Sequence, residues 1–306
     1  MTATSELRGL RGHRAKVKPQ NKAAFWFLLP WFAGLFAVTL GPMLASFYLS
    51  FTDYNLLQPP EFIGVGNFER MLTDERLRSS LGVTFTYVLV SVPLQLAIAL
   101  TLAVLLDRGI RGLAFYRSVF YLPSLLGASV AIAVLWRTVF GTEGLFNEGL
   151  GLFGIEGRGW ISDPDTALST LITLNVWTFG SPMVIFLAGL RQIPAMYYEA
   201  AAVDGASPLR RFTSVTLPLL TPIIFFNLVL QIINAFQSFT QAFIVSGGTG
   251  GPTDSTLFFS LFLYQRGFGN FDMGYASALA WLLLVIIGAF TAINFWASKY
   301  WVYYDD

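Results

Sequence analysis

The chain has 306 residues, of which 55% are hydrophobic and 16% aromatic, and its formal net charge is +1. Only 12% of its residues are charged, against about 25% in water-soluble domains, so a lipid bilayer is the expected solvent. The absence of Cys excludes disulfides, thiolate metal sites and Cys nucleophiles, and the small net charge gives no reason to expect nucleic acid binding.

Six stretches without charged residues over their central turns are long enough to cross a bilayer, since a transmembrane helix needs about 20 mostly apolar residues. A basic tail at residues 1–22 precedes them, and residues 23–306 form the predicted transmembrane domain. The predicted spans are residues 23–51, 81–106, 116–136, 166–190, 215–246 and 275–298. The sequence thus predicts an all-α fold, a polytopic membrane helix bundle with six transmembrane helices.

The distribution of Lys and Arg predicts how these spans are oriented. With a cytoplasmic amino terminus, thirteen of the nineteen basic residues lie inside: Arg8, Arg11, Arg14, Lys16, Lys18, Lys22, Arg108, Arg111, Arg117, Arg191, Arg210, Arg211 and Lys299. Both termini are therefore predicted to be cytoplasmic. The outer loops, at residues 52–80, 137–165 and 247–274, are long and rich in Gly, Pro and acidic residues, which suits a docking surface.

The central turns of all six predicted spans carry no Asp, Glu, Lys, Arg or His. Ionisable residues at membrane depth mark proton relays and catalytic sites, so their absence argues against a proton-driven transporter and an intramembrane hydrolase. None of the four Lys follows a Gly, which excludes a phosphate-binding P-loop. If the chain moves a solute, another chain must supply the energy.

Span four carries Trp177 on a face that it shares with Thr170, Thr173 and Ser181. Trp177 is either a stacking surface for a ring-shaped solute such as a sugar or a packing contact between helices. The sequence leaves both interpretations open.

The loop at residues 191–214 is too long for a simple turn. Ala, Met and Glu give residues 196–203 helix-forming character, Gly205 breaks the pattern, and Ser207 with Pro208 supplies an N-cap and the first position of a second helix. We expect two short helices around a glycine hinge. Because such short helices are marginal alone, the loop is either a partner site or a plain connector.

Polar residues recur along span five at helical spacing. They are Asn227, Gln231, Asn234, Ser238 and Gln241, with Gln237 at the border and Phe239 on the opposite, apolar side. Spacings of four, three, four and three place them on one face of a continuous helix. An unpaired amide in hydrocarbon costs about 4 kcal/mol, so this stripe cannot face lipid. It is either hydrogen-bonding contact between helices or the wall of a path for a hydroxyl-rich solute.

A further apolar run at residues 257–264 is too short to cross the membrane. We expect it to form a short interfacial or re-entrant helix before span six.

The loop after span four resembles the EAA loop of binding-protein-dependent ABC importer permeases. The matching residues are Glu199, Ala200, Ala201, Gly205, Val215, Leu217 and Pro218, with Val215 where Ile is common. Residues 62–72, 115–126 and 250–268 resemble the carbohydrate-uptake subclass, similar to the maltose and glycerol-phosphate type. The resemblance covers nearly the whole chain after the tail and implies the type I ABC importer permease fold.

This resemblance implies a transporter subunit and not an enzyme: the permease of an ATP-driven importer for a sugar of di- or oligosaccharide size. The chain would lie in a bacterial or archaeal inner membrane and work by alternating access. The implied partners are a second permease in a heterodimer, two ATPase subunits and an extracytoplasmic solute-binding protein. ATP and Mg would bind to the ATPase subunits, with no cofactor on this chain.

The resemblance also assigns the loop to coupling with an ATPase subunit. The implied contact residues are Glu199, Ala200, Ala201, Asp204, Gly205, Arg210, Leu217 and Pro218. Arg210 and Arg211 are equally well explained as signals of topology. A permease for another polar solute, such as glycerol-phosphate or a polyamine, and a non-transport membrane scaffold remain as alternatives.

Overall fold

The computed structural model describes residues 21–109 and 112–303. His13 and nearly all of the predicted basic tail lie outside the described residues. The chain divides into two compact units, Met1–Tyr48 and Leu49–Asp306.

The first unit is helical throughout its described part. Helix α1 (Asn21–Gly34) passes through a π-helical turn (Leu35–Leu40) into α2 (Gly41–Leu49). The wide turn directly precedes Pro42, which has no N–H and whose ring crowds the carbonyl four residues earlier. Residues Phe25–Leu49 are long and apolar enough to cross a membrane, as predicted for span one.

Short elements begin the second unit. Strand β1 (Thr52–Asp53) pairs antiparallel with β2 (Glu61–Phe62), and Thr52 lies opposite Phe62. Helix α3 (Gly66–Thr73) follows, and its buried Asn67 donates hydrogen bonds to the main-chain oxygen atoms of Ser50, at 3.0 Å, and Thr52, at 2.9 Å. These bonds fix the short segment before the second span.

Helix α4 (Glu75–Asp107) is the centre of the bundle. It begins at Asp74, whose carboxylate accepts a hydrogen bond from the Leu77 N–H at 3.2 Å and so caps the helix. The most extensive contacts of α4 with later helices are those to α8 (Pro164–Trp177), α9 (Gly180–Leu190) and α12 (Leu217–Phe236). The hydrophobic core therefore surrounds this one helix.

The third span is broken, which corrects the prediction of one continuous helix at residues 116–136. Helices α5 (Leu113–Leu126) and α6 (Val130–Val139) are bent by 95° at the break between them. Ser129 starts the second helix, since its hydroxyl accepts a hydrogen bond from the Ile132 N–H at 3.3 Å. Among the described residues five helices are long enough to cross a membrane, and the bent pair brings the number to six.

The later helices contain two further breaks. Thr178 and Phe179 separate α8 from α9, and residues 237–239 separate α12 from α13 (Thr240–Val245). The remaining short helices are α7 (Leu145–Gly151), α10 (Ala195–Val203), α11 (Pro208–Arg211) and a π-helical turn (Phe212–Thr216). The turn again lies just before a proline, Pro218, as in the first span.

The short apolar run after α13 forms α14 (Phe259–Tyr264), which is buried in the bundle. The Phe259 N–H donates to the Thr84 hydroxyl at 2.8 Å, and the ring centroids of Phe258 and Tyr87 are 4.5 Å apart. The predicted short helix is therefore confirmed. Within the described residues it packs against α4. Helix α15 (Met273–Trp301) then forms the last span.

An ion-pair cluster ties the segment after α13 to the start of α4. Arg266 contacts the Asp74 carboxylate at 2.9 Å, and the Tyr275 hydroxyl donates to the same carboxylate at 3.0 Å. Arg76 makes two hydrogen bonds, of 2.9 and 2.7 Å, to Asp254. Two-point contacts of this kind fix orientation as well as distance.

Candidate functional site

The three helix breaks of the second unit meet beside α4 and surround a cavity of about 410 Å³. The breaks are those at Gly127, at Thr178 and at residues 237–239. The cavity is lined by Tyr87, Ser124, Gly127, Ala128, Leu174, Asn175, Thr178, Gln231, Asn234, Gln237, Ser238, Phe239, Thr240 and Gln241. Most of these side chains carry an amide or a hydroxyl group, and none is charged.

Side chains from neighbouring helices satisfy the carbonyl groups that the breaks release. The Gln95 amide nitrogen donates to the main-chain oxygen atoms of Asn175, at 3.0 Å, and Thr178, at 3.1 Å. The Ser124 hydroxyl donates to the same Thr178 oxygen at 2.7 Å. The Gln241 amide donates to the Gly127 oxygen at 3.2 Å. Broken helices are stable at membrane depth only with such partners.

Close backbone approach also holds the breaks together. A Cβ atom on Gly127 would overlap the methyl group of Thr178, and one on Gly180 would overlap the main-chain oxygen of Phe120. Small residues at helix contacts allow this approach. Glycine at these two positions therefore brings the break of α5 and α6 against the break of α8 and α9.

The cavity contains four members of the polar stripe that the sequence predicts in span five: Gln231, Asn234, Ser238 and Gln241. Asn227 does not line it. Asn227 is fully buried, and its amide donates to the Ile223 oxygen of its own helix at 3.1 Å. The structure thus brings together four of the five stripe residues.

The prediction of a single continuous face is wrong beyond Phe236, where α12 ends. Gln237 and Phe239 both line the cavity, although helical spacing places Phe239 on the apolar side. Helical periodicity does not hold across the break, because residues there no longer advance by about 100° each. A polar stripe read from spacing alone cannot detect this change.

Trp177 also lies outside the cavity lining, and its ring packs 5.9 Å from that of Trp136. The neighbouring Thr178 and Asn175 line the cavity instead. The Asn175 amide also donates to the Ser91 hydroxyl of α4 at 2.9 Å. Ser91 and Gln95, polar residues four positions apart near the middle of span two, were the signal in the sequence that could have indicated this contact.

The loop at residues 191–214 forms two helices around Gly205, as predicted. Helix α10 ends before Gly205, which has φ +71°, and α11 begins at Pro208. The Ser207 hydroxyl caps the second helix by accepting from the Arg210 N–H at 3.4 Å. The φ value lies in the left-handed region that a side chain disfavours, which explains the glycine.

Most of the residues that the resemblance assigns to coupling lie on the surface of this loop. Glu199, Ala200, Asp204, Gly205 and Arg210 are exposed, whereas Ala201, Leu217 and Pro218 are half-buried. Leu217 and Pro218 are the first two residues of α12, which follows the loop in the chain.

The sequence did not single out three exposed apolar side chains on the same loop. Met196, Val203 and Leu209 are 66, 89 and 72% exposed. Apolar residues clustered this way on a polar surface are typical of a protein contact.

The chain matches the family described as "Binding-protein-dependent transport system inner membrane component" over residues 76–300. The chain belongs to this family. It is 53% identical over 292 residues to the probable ABC transporter permease protein YesP of Bacillus subtilis, covering 95% of this chain and 94% of the relative. It is 31% identical over 293 residues to the lactose transport system permease protein LacF of Rhizobium radiobacter, covering 94% of this chain and 97% of the relative.

A solved structure has the same fold. The crystal structure of the bacterial alginate ABC transporter, in complex with an alginate pentasaccharide-bound periplasmic protein, contains a chain that matches with a TM-score of 0.80 at 20% identity. The match covers 92% of this chain and 95% of the other. The predicted type I ABC importer permease fold is thereby confirmed. The chain is a multi-pass membrane permease subunit of an ABC transport system and not an enzyme.

Proposed function

We propose that this permease moves a neutral sugar of di- or oligosaccharide size. The observation that carries the proposal is the uncharged cavity at the three helix breaks, lined by Gln, Asn, Ser and Thr side chains. Its volume of about 410 Å³ lies within the range of about 300–1,000 Å³ that is usual for small-molecule sites.

Hydroxyl groups of a sugar need both donors and acceptors, and each amide of the cavity supplies both. A cationic polyamine or an anionic phosphate ester would instead leave its charge without a counter-charge from this chain, at a high cost in a low-dielectric site. Relatives that are named for sugar substrates support the same choice. They include LacF, named for lactose, and the trehalose/maltose permease MalF of Thermococcus litoralis, 30% identical over 278 residues.

The exposed loop of α10 and α11 is the proposed contact with an ATPase subunit. Met196, Val203 and Leu209 supply apolar area, and Glu199 and Arg210 supply charge around it. The Tyr198 hydroxyl lies 3.0 Å from the Thr216 hydroxyl, so movement of the loop is transmitted to the base of α12. Because α12 carries Gln231 and Asn234, displacement of the loop changes the cavity wall.

In this proposal the loop and both termini face the cytoplasm. A second permease completes the path, and two ATPase subunits bind ATP and Mg. An extracytoplasmic solute-binding protein delivers the sugar on the opposite side.

The test is reconstitution of the chain with its cognate partner subunits and binding protein in liposomes. A panel of a neutral disaccharide, a monosaccharide, a polyamine and glycerol-phosphate is offered, and ATP hydrolysis and uptake are measured. Neutral sugars should stimulate both. Stimulation by the polyamine or glycerol-phosphate alone would refute the sugar assignment, and failure to co-purify with any ATPase would favour a membrane scaffold.

A further inference from the structure

Helix α4 carries a groove on its outward face, separate from the solute cavity. The groove has a volume of about 410 Å³ and is lined by Ala97, Leu100, Thr101, Val104, Leu105, Arg108 and Phe212. The α4 positions follow the three and four residue spacing of one helix face. The Thr101 hydroxyl donates to the Ala97 oxygen of the same helix at 2.7 Å. Because this bond occupies the hydroxyl, the groove between Ala97 and Arg108 behaves as an apolar surface.

A second cavity, of about 510 Å³, adjoins this groove at the base of the loop. Both are lined by Val104, Arg108 and Phe212, and the second adds Arg211 and Tyr198. The two spaces are therefore neighbours: the first is mostly apolar, and the second has Arg108, Arg211 and one acidic residue, Asp107, at its wall.

Two guanidinium groups are available in the second cavity, and that of Arg108 also belongs to the groove. Arg108 is exposed and makes no ion pair or hydrogen bond with another residue of the described ranges. Arg211 uses its Nε atom for the Ala206 oxygen at 2.9 Å, which leaves its two terminal nitrogen atoms as donors. The nearby acid, Asp107, is engaged by Arg191 at 3.5 Å.

The length of the groove matches one lipid leaflet. Ala97 and Arg108 are eleven residues apart on α4, which corresponds to roughly 16 Å at about 1.5 Å per residue. Half of a hydrocarbon core of about 30 Å is about 15 Å. An acyl chain lying in the groove would thus bring its phosphate to the level of Arg108.

We propose that this groove binds one anionic phospholipid of the leaflet on the loop side. One acyl chain lies along α4, and the phosphate group binds between Arg108 and Arg211. Basic pockets at the membrane boundary are suited to such head groups. Phe212, which connects α11 to the π-helical turn, contacts the lipid space. A lipid bound in the groove therefore favours one position of the loop over others. We expect this lipid to raise solute-stimulated ATP hydrolysis.

The effect on ATP hydrolysis rests on the proposed function, whereas lipid binding does not. The experiment therefore measures binding first. The whole transporter, with its partner subunits, is purified in mild detergent, and phosphatidylglycerol retained per complex is measured by native mass spectrometry against added phosphatidylcholine. Wild type should retain one phosphatidylglycerol.

Arg108→Gln and Arg211→Gln should each weaken phosphatidylglycerol binding about fivefold, and the double variant about thirtyfold. Ala97→Trp fills the far end of the exposed groove without a change of charge and should also reduce retention. The matched control is Lys299→Gln, since Lys299 is an exposed basic residue that is predicted to lie on the same side of the membrane and lines neither space. Equal losses in the control would mean a general attraction between basic residues and anionic lipid and would overturn the site.

Two further experiments distinguish a bound lipid from the two alternative occupants, free phosphate and a partner protein. Inorganic phosphate alone should not displace the lipid, and displacement would show a site for free phosphate instead. Because the chain has no Cys, Leu105→Cys gives a single reactive position in the groove of this chain. Crosslinking of that position to a partner subunit, in place of a lipid probe, would show that protein covers the groove and would refute the proposal.

Discussion

Gln95 of α4 donates its side-chain amide to Thr178 at two points, the hydroxyl at 2.9 Å and the main-chain oxygen at 3.1 Å. Thr178 stands at the break between α8 and α9 and lines the cavity at the helix breaks, whereas Gln95 is buried behind it. Gln95 is therefore a positioning residue: it fixes the wall of the cavity without lining it.

Gln95→Leu should lower the free energy of unfolding by about 1 kcal/mol. The main-chain oxygens of Asn175 and Thr178 each lose one donor but keep another, and the variant also removes the Gln95 Oε1 atom, which has no partner among the described residues. Thermal unfolding of the purified transporter measures this loss, and uptake measurements should show a raised KM. Thr86→Val is the matched control, since the Thr86 hydroxyl bonds the Gly82 oxygen of the same helix at 2.8 Å. A Gln95→Leu transporter as stable as the control variant would contradict the assigned role.

Gln231→Ala and Asn234→Ala should raise the KM of solute uptake about tenfold each while leaving assembly intact, since each removes one hydrogen-bonding group from the cavity. Uptake by the reconstituted transporter gives both values. Asn227→Leu is the comparison: it removes a buried amide whose oxygen has no partner among the described residues, so stability should stay equal or increase slightly. Unchanged kinetics in both Ala variants would show that Gln231 and Asn234 serve as contacts between helices and not as part of a solute path.

Gly205→Pro should abolish solute-stimulated ATP hydrolysis while the permease remains inserted. Proline cannot adopt φ +71° and lacks the N–H that Gly205 donates to the Ala202 oxygen at 3.1 Å. Gly205→Asn is the control, because Asn tolerates this backbone region, and it should keep most of the coupling. Coupling that survives in the Pro variant would contradict the assignment of the loop.

Asp74→Asn should destabilise the transporter by about 3 kcal/mol, because Arg266 would keep a largely buried charge without its partner. The side chains of Arg266 and Asp74 are 19 and 9% exposed. Asn still caps α4, so the variant isolates the charge. Asp163→Asn is the control. The ion pair of Asp163 with Arg158 is longer, with 3.9 Å between Oδ2 and Nη1, and both side chains are more exposed. Similar melting temperatures for the two variants would disprove the expected difference.

The sequence predicts the number and approximate place of the spans, because their length and apolar character do not depend on distant contacts. It does not predict the 95° bend between α5 and α6. Gly127 and the N-cap Ser129 lie inside a mostly apolar run that is long enough for one span, so length and hydropathy predict a single helix there.

The loop around Gly205 was predictable in detail, since a cap, a proline and a left-handed glycine are local signals. The cavity was predictable only in part. Span five supplied Gln231 and Asn234, but the contribution of Asn175 and Thr178 depends on a break that Gln95 stabilises from 80 and 83 residues away. Spacing within one helix contains no information about such a partner.

The ion pair of Asp74 with Arg266 joins residues 192 positions apart, and Tyr275 lies 201 positions from the same carboxylate. During synthesis the amino-terminal end of α4 therefore leaves the ribosome long before its counter-charge exists. The carboxylate must remain hydrated, or be held by an insertion factor, until the last span is made. Contacts this distant in sequence form late, so the bundle closes on this side only after Arg266 and Tyr275 have been synthesised.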